Sequence, residues 1–229
     1  MVWRLLVRRC PTRSFTVVGD AAQTSEAAGS ASWSEALEPF FGTRWRMEQL
    51  TVNYRTPAEI MGVADRVLAA IDPALEPATA VRAAGVAPVR EHAPRSRLAS
   101  RLAELVAVES KRTRDGRIAV LVPQADLDRL AEAVRAEVPD ASWGPDPDLE
   151  RGVVVLTVRQ AKGLEFDSVV LVDPQAVLDA SPRGLSDLYV ALTRASRRLL
   201  VLHPGRIPAV LEDLPEGGNG KNTRKAGKG

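Results

Sequence analysis

Residues 153–173 read VVVLTVRQAKGLEFDSVVLVD. Two runs of β-branched and aliphatic residues enclose a short segment that carries Lys162, Gly163, Glu165 and Asp167. Apolar runs without polar alternation suit strands buried on both faces, and such strands belong to parallel sheets covered by helices on either side. Short apolar runs of the same character recur at 14–20 (SFTVVGD), 116–123 (GRIAVLVP) and 197–203 (RRLLVLH). Between them, residues 56–71, 97–112 and 124–138 place their apolar side chains at helical spacing. Thr56 followed by Pro57 is a helix start, with the hydroxyl expected as cap and the proline in the first turn. The expectation is an α/β fold with a parallel sheet and helices on both faces. Ligands of such sheets bind at the carboxyl ends of the strands, and the charged loop after VVVLTV is expected there. Residues 72–96 and 140–151, rich in Pro, Gly and Ala, read as surface connections.

Composition narrows the class. With 45% apolar and 26% charged residues in 229, the chain is that of an ordinary globular protein. No apolar run approaches the roughly 20 residues of a membrane span, and Arg4, Arg8 and Arg9 interrupt what a signal peptide would need at the N-terminus. Residues 1–10 read instead as a short amphipathic helix ended by Pro11. Cys10 is the single cysteine, so no intramolecular disulfide forms and a cytoplasmic location is the default. The net charge of +2 does not argue for nucleic acid by itself. Residues 215–229, made of Gly, Asn, Lys and Arg with little to pack, read as a flexible basic tail.

Four clusters carry the chemistry: VVGDAAQT (17–24), VNYRTP (52–57), TVRQAKGLEFDSVVLV (157–172) and DLYVALTRASRRLLVL (187–202). Each alone has an ordinary explanation, such as a turn at Gly-Asp or an arginine complementing a helix dipole and facing water. In this order they closely resemble motifs III, IV, V and VI of the superfamily 1 helicases and translocases, the UvrD, PcrA and Rep group. Residues 50–61 and 156–174 are most similar to the HelD-like proteins of that group, which act on RNA polymerase. The resemblance runs over roughly residues 14–203 and implies a RecA-like second motor domain. Arg55 and Lys162 lie too close in sequence for the large 2B insertion of UvrD-like enzymes.

The resemblance also implies roles. Arg55 and Arg194 match the arginines that reach the γ-phosphate of ATP, a task suited to an always-charged forked group. Tyr54 matches the ring that stacks on adenine, and Glu165 the acceptor for the ribose hydroxyls, with Gly163 turning the backbone beneath them. Gln23 matches the γ-phosphate sensor, and Asp20 closes the strand before it in the nucleotide-binding set. Thr157 and Arg159 fall where the family approaches nucleic acid, although UvrD-type proteins carry histidine at the position of Arg159. No residue is expected to hold a metal.

The 229 residues contain neither a G-x-x-x-x-G-K-[ST] phosphate loop nor an acidic magnesium-binding motif. By resemblance, the chain is expected to be the C-terminal part of a motor that uses ATP with magnesium. Residues 1–42 would then be a remnant of the first RecA-like domain with its motif III strand, and 43–214 the second domain. The expected partners are the missing first domain, in the same chain or another, and DNA or RNA polymerase, with no membrane. Hydrolysis by this chain alone is not expected. The alternative is a standalone RecA-like module that docks on RNA polymerase, another protein or nucleic acid without hydrolysing ATP.

Overall fold

The computed structural model describes residues 2–20 and 33–217. Gln23 and most of the expected basic tail lie outside them. The centre is a five-stranded sheet built from β3 (Val89–His92), β4 (Ile118–Val122), β5 (Val153–Thr157), β6 (Phe166–Val172) and β7 (Ala195–His203). Its order is β3-β7-β6-β4-β5, and every pairing is parallel. Each residue of β4 and β5 is buried, as their unbroken apolar runs require.

Alternation along these strands divides the core in two. Ala119, Leu121, Val154, Leu156, Val169 and Leu171 face one side, against α3 (Ala58–Ile71), α6 (Pro174–Asp179) and α7 (Gly184–Thr193). Ile118, Val120, Val153, Val155 and Val170 face the other, against α4 (Leu98–Thr113) and α5 (Leu127–Glu137). The expected layered α/β architecture is therefore present, with helices on both faces. Among the described residues no helix is long and apolar enough to cross a membrane.

Four local expectations are corrected. Residues 14–20 form no strand; Val17 and Val18 are exposed. A strand needs a neighbour for its N–H and C=O groups, and no described segment offers one. Helices α1 (Val2–Arg9) and α2 (Trp33–Phe41) flank this stretch, where Trp3 and Phe15 meet Phe41 edge to face. Residues 72–96 are more than a connection, since they hold β2 (Thr79–Ala80) and the edge strand β3. An edge strand accommodates the charged Arg90 and Glu91 that hide it in sequence. β2 pairs with β1 (Val52–Asn53) in a separate parallel ribbon around α3.

The third correction concerns the helix start. Thr56 is buried and its Oγ1 has no hydrogen-bond partner, so the hydroxyl caps nothing. Pro57 occupies the cap position, and Asn53 supplies the turn: its Oδ1 accepts from the N–H groups of Arg55 at 2.9 Å and Thr56 at 3.0 Å.

The fourth concerns the charged loop. β5 and β6 are parallel and separated by β4, so the chain between them must travel the full height of the sheet. Residues 158–165 do so over the α3–α7 face, with Val158, Ala161 and Leu164 packed beneath. Only the start of this segment is at the carboxyl ends of the strands. Its end, Gly163 to Glu165, lies at the amino ends, just before Phe166 opens β6.

Candidate functional site

The crossover begins with a reciprocal cap. Gln160 Oε1 accepts from the N–H and the hydroxyl of Thr157, both at 3.0 Å, while Thr157 Oγ1 accepts from the N–H of Gln160 at 3.3 Å. The T-x-x-Q spacing is that of a capping box, and it starts the helical turn that crosses the sheet. Thr157 is thereby buried and engaged internally, whereas Arg159 is exposed at the carboxyl edge. At the far end Gly163 takes φ +82°, a left-handed conformation that side chains disfavour, and it turns the chain into Leu164 and Glu165.

Arg194 holds that turn in place. It follows α7, and its main chain is adjacent to the loop: the N–H of Phe166 donates to the Arg194 carbonyl at 3.0 Å. Its side chain does not face water. Only 2% of the residue is exposed. Nη1 donates to the Leu164 carbonyl at 3.1 Å, Nε to the Val190 carbonyl at 3.1 Å, and Nη2 to Thr193 Oγ1 at 3.2 Å. Burial, together with neighbouring Arg55, lowers its proton affinity, and Glu165, Tyr189 and Asp20 oppose that shift.

Arg55 reaches the same place from the turn before α3. Its Nη1 lies 2.6 Å from Glu165 Oε1, with both side chains partly exposed. The Arg55 carbonyl is held by Arg82, whose Nη2 donates to it at 2.8 Å and also to the carbonyl of Ser196 in β7. Asn53 and Arg82 thus fix the arginine from both sides. Tyr54, next to it, is 75% exposed.

Asp20 comes within electrostatic reach of both Tyr189 and Arg194. Tyr189, on α7, has its phenol pushed up to about 12 by burial and then by Asp20 and Asp65, against the opposing pull of Arg194 and Arg55. Burial also raises the carboxyl of Asp65 on α3, whose Oδ1 is enclosed without a hydrogen-bond partner.

Residues distant in sequence therefore converge at the amino ends of β6 and β7. Arg55, Glu165, Arg194 and Asp20 meet there, with Gly163 shaping the loop and Tyr54 open beside Arg55. Thr157 and Arg159 stand apart, at the other end of the sheet. Sequence reasoning missed Asn53, Arg82, Tyr189, Asp65 and Gln160. Asn53 and Gln160 had readable signals, an asparagine three residues before the Thr-Pro helix start and the T-x-x-Q spacing. Arg82 had none, and Tyr189 and Asp65 are brought in only by the packing of α3 on α7. Among the described residues no three His, Cys, Asp or Glu gather as a metal site.

The fold matches that of a helicase C-terminal RecA-like domain. The model of the UvrD-like helicase C-terminal domain matches residues 152–202, the span from β5 to β7 that carries the crossover and Arg194. A solved structure of the C-terminal domain of a possible DNA helicase from Lactobacillus plantarum WCFS1 aligns at TM-score 0.54 with 19% identity, over 71% of this chain and 94% of that one. Lower similarity, at TM-score 0.40 and 12% identity, links 71% of the chain to 35% of a Sulfolobus solfataricus SWI2/SNF2 ATPase core in complex with dsDNA. No curated protein matches the chain.

Proposed function

We propose that the chain is the C-terminal part of an ATP-dependent superfamily 1 helicase or translocase, acting with a domain that carries a phosphate-binding loop. The observation that carries this reading is the convergence of Arg55 and Arg194 with Glu165 at one end of the sheet. A partly exposed guanidinium, Arg55, backed by a buried one, Arg194, and beside an open aromatic ring, suits a nucleoside triphosphate.

In this reading Arg55 exchanges Glu165 for the terminal phosphates, and Glu165, released, accepts hydrogen bonds from the ribose hydroxyls. Tyr54 offers its exposed ring to the adenine. Arg194 acts from inside: by holding the Leu164 carbonyl it sets the position of Glu165 and adds positive potential behind Arg55. ATP supplies the phosphoanhydride whose cleavage drives the motion, and magnesium is held by the other domain. Closure of that domain onto this surface, and its release, converts hydrolysis into movement. Arg159, exposed at the opposite edge, faces the track, for which DNA is the first candidate. The HelD-like character of residues 50–61 and 156–174 makes RNA polymerase the second.

Titration of the 229-residue chain with a fluorescent ATP analogue tests the assignment. Saturable binding is expected, weakened by about tenfold in Arg55→Ala and in Tyr54→Ala. Equal affinity in the wild type and both variants would refute it.

A further inference from the structure

A second cationic feature lies next to this surface and shares no residue with the proposed nucleotide set. A cavity of about 440 Å³ is bounded by Arg82, Arg112, Arg197 and Arg198, with Thr113 and Asp167 completing its polar wall. The arginines come from three places: the loop after β2, the last turn of α4, and the start of β7. Two carboxylates accompany them, and both are already occupied. Glu109, 1% exposed, accepts from Ser168 Oγ at 2.9 Å and Arg198 Nε at 2.7 Å on one oxygen, and from Arg112 Nη1 at 3.2 Å on the other. Asp167 accepts from the N–H of Arg117 at 2.9 Å and meets Arg197 only at 3.8 Å.

Four positive charges thus face two negative ones. Four guanidinium groups carry about twenty N–H donors. Their hydrogen bonds to Glu109 and to the carbonyls of Arg55 and Ser196 use a small part of them. Arg112 and Arg197 remain 54% and 68% exposed. Convergent guanidinium forks with donors to spare match the oxygens of a phosphate.

We propose that this cavity is an oxyanion site for a phosphate or pyrophosphate group, separate from the nucleotide surface. The group is either a free anion or part of a nucleic-acid backbone. Arg82 links the two places, because it lines the cavity and holds the Arg55 carbonyl. An anion there draws on the residue that positions Arg55, so its occupancy bears on the nucleotide surface.

The test is calorimetric titration of the 229-residue chain with inorganic pyrophosphate at low salt. One site is expected, weakened about tenfold or more by Arg197→Glu and by Arg112→Glu. Arg197 is exposed, so that variant is expected to fold, and circular dichroism checks it. Arg197→Glu is also expected to move the affinity for the fluorescent ATP analogue by no more than about twofold, because Arg197 is exposed to screening solvent and is not in the nucleotide set. If a single-stranded oligonucleotide displaces pyrophosphate from the wild type, the backbone is the source; if it does not, the ligand is the free anion. Absence of pyrophosphate binding at millimolar concentration overturns the proposal. So does unchanged pyrophosphate affinity in Arg197→Glu, or equal weakening of both ligands.

Discussion

Arg55 Nη1 and Glu165 Oε1 lie 2.6 Å apart, although 110 positions separate them in sequence. Each group is assigned to a different part of ATP, so in the ligand-free chain each occupies the other's binding capacity. The pair is partly exposed and contributes less than about 1 kcal/mol to stability. Arg55→Ala in an assembly that contains a phosphate-loop domain is therefore expected to leave the unfolding midpoint nearly unchanged. Steady-state ATP turnover should fall by about a thousandfold, the scale of a lost arginine finger. Normal turnover in that variant would remove Arg55 from the phosphate-contacting role.

Arg194 is expected to behave differently. Its guanidinium is enclosed and joins the carbonyls of Val190 and Leu164 to the hydroxyl of Thr193. Truncation strands those acceptors inside the protein. Arg194→Ala should cost on the order of 3 kcal/mol, read as a lower urea midpoint, in addition to any loss of turnover. Arg194→Lys keeps the charge but not the fork, and should recover only part of the stability. An unchanged midpoint in Arg194→Ala would show that the residue is not a brace of the loop.

The contrast between these two arginines marks what could be read in advance. The buried strands, their parallel pairing and the helices on both faces followed from unbroken apolar runs separated by helical spacing. Arg55, Glu165 and Arg194 were identified by motif. Where they stand was not, because the end of the sheet at which a loop finishes depends on strand order. β4 between β5 and β6 sends residues 158–165 across the sheet and carries Glu165 to the amino ends. Composition also misled. Pro, Gly and Ala made residues 72–96 look like a surface connection, which hid β3 and with it Arg82, the residue that holds Arg55 through a main-chain carbonyl that no side-chain pattern reports.

Asp65 offers a test of the packing behind the site. Its Oδ1 is enclosed by the contact of α3 with α7 and has no partner, and burial raises its carboxyl above the usual range. A raised folded-state value means that the native protein holds this proton more tightly than the unfolded chain. The stabilising contribution is present below the ordinary carboxyl value of about 4 and is lost as pH rises through the folded value. Asp65→Asn removes the charge and keeps the shape. It should raise the thermal midpoint at neutral pH by a few degrees and flatten the decline between mildly acidic and neutral conditions. A lower midpoint at neutral pH would show that the charged carboxylate contributes favourably to the fold.

His203 ends β7 at the opposite edge of the sheet, where its pH dependence has the opposite sign. Burial lowers its affinity for a proton, and His92 and Arg90 add to that effect. The hydrogen bond from Nδ1 to the Gly205 carbonyl at 2.7 Å works against it, as does Glu216. The His92 ring lies 5.4 Å away, so a charge on His203 would face a second imidazole as well as a guanidinium. With the folded value depressed below the ordinary 6.5, the contribution is full above that value and is lost as pH falls toward the folded one. The Pro215–Gly217 segment depends on the same edge, because Arg90 accepts from the N–H of Gly217 and donates to the Pro215 carbonyl. Urea unfolding is therefore expected to show a midpoint that drops on acidification below about 6.5. His203→Gln, which can still donate to Gly205, should remove most of that drop. Protection of the Gly217 amide from hydrogen exchange, taken relative to the intrinsic rate at each pH, should fall over the same interval in the wild type alone, and an identical acid profile in the two proteins would assign the loss of stability to other groups.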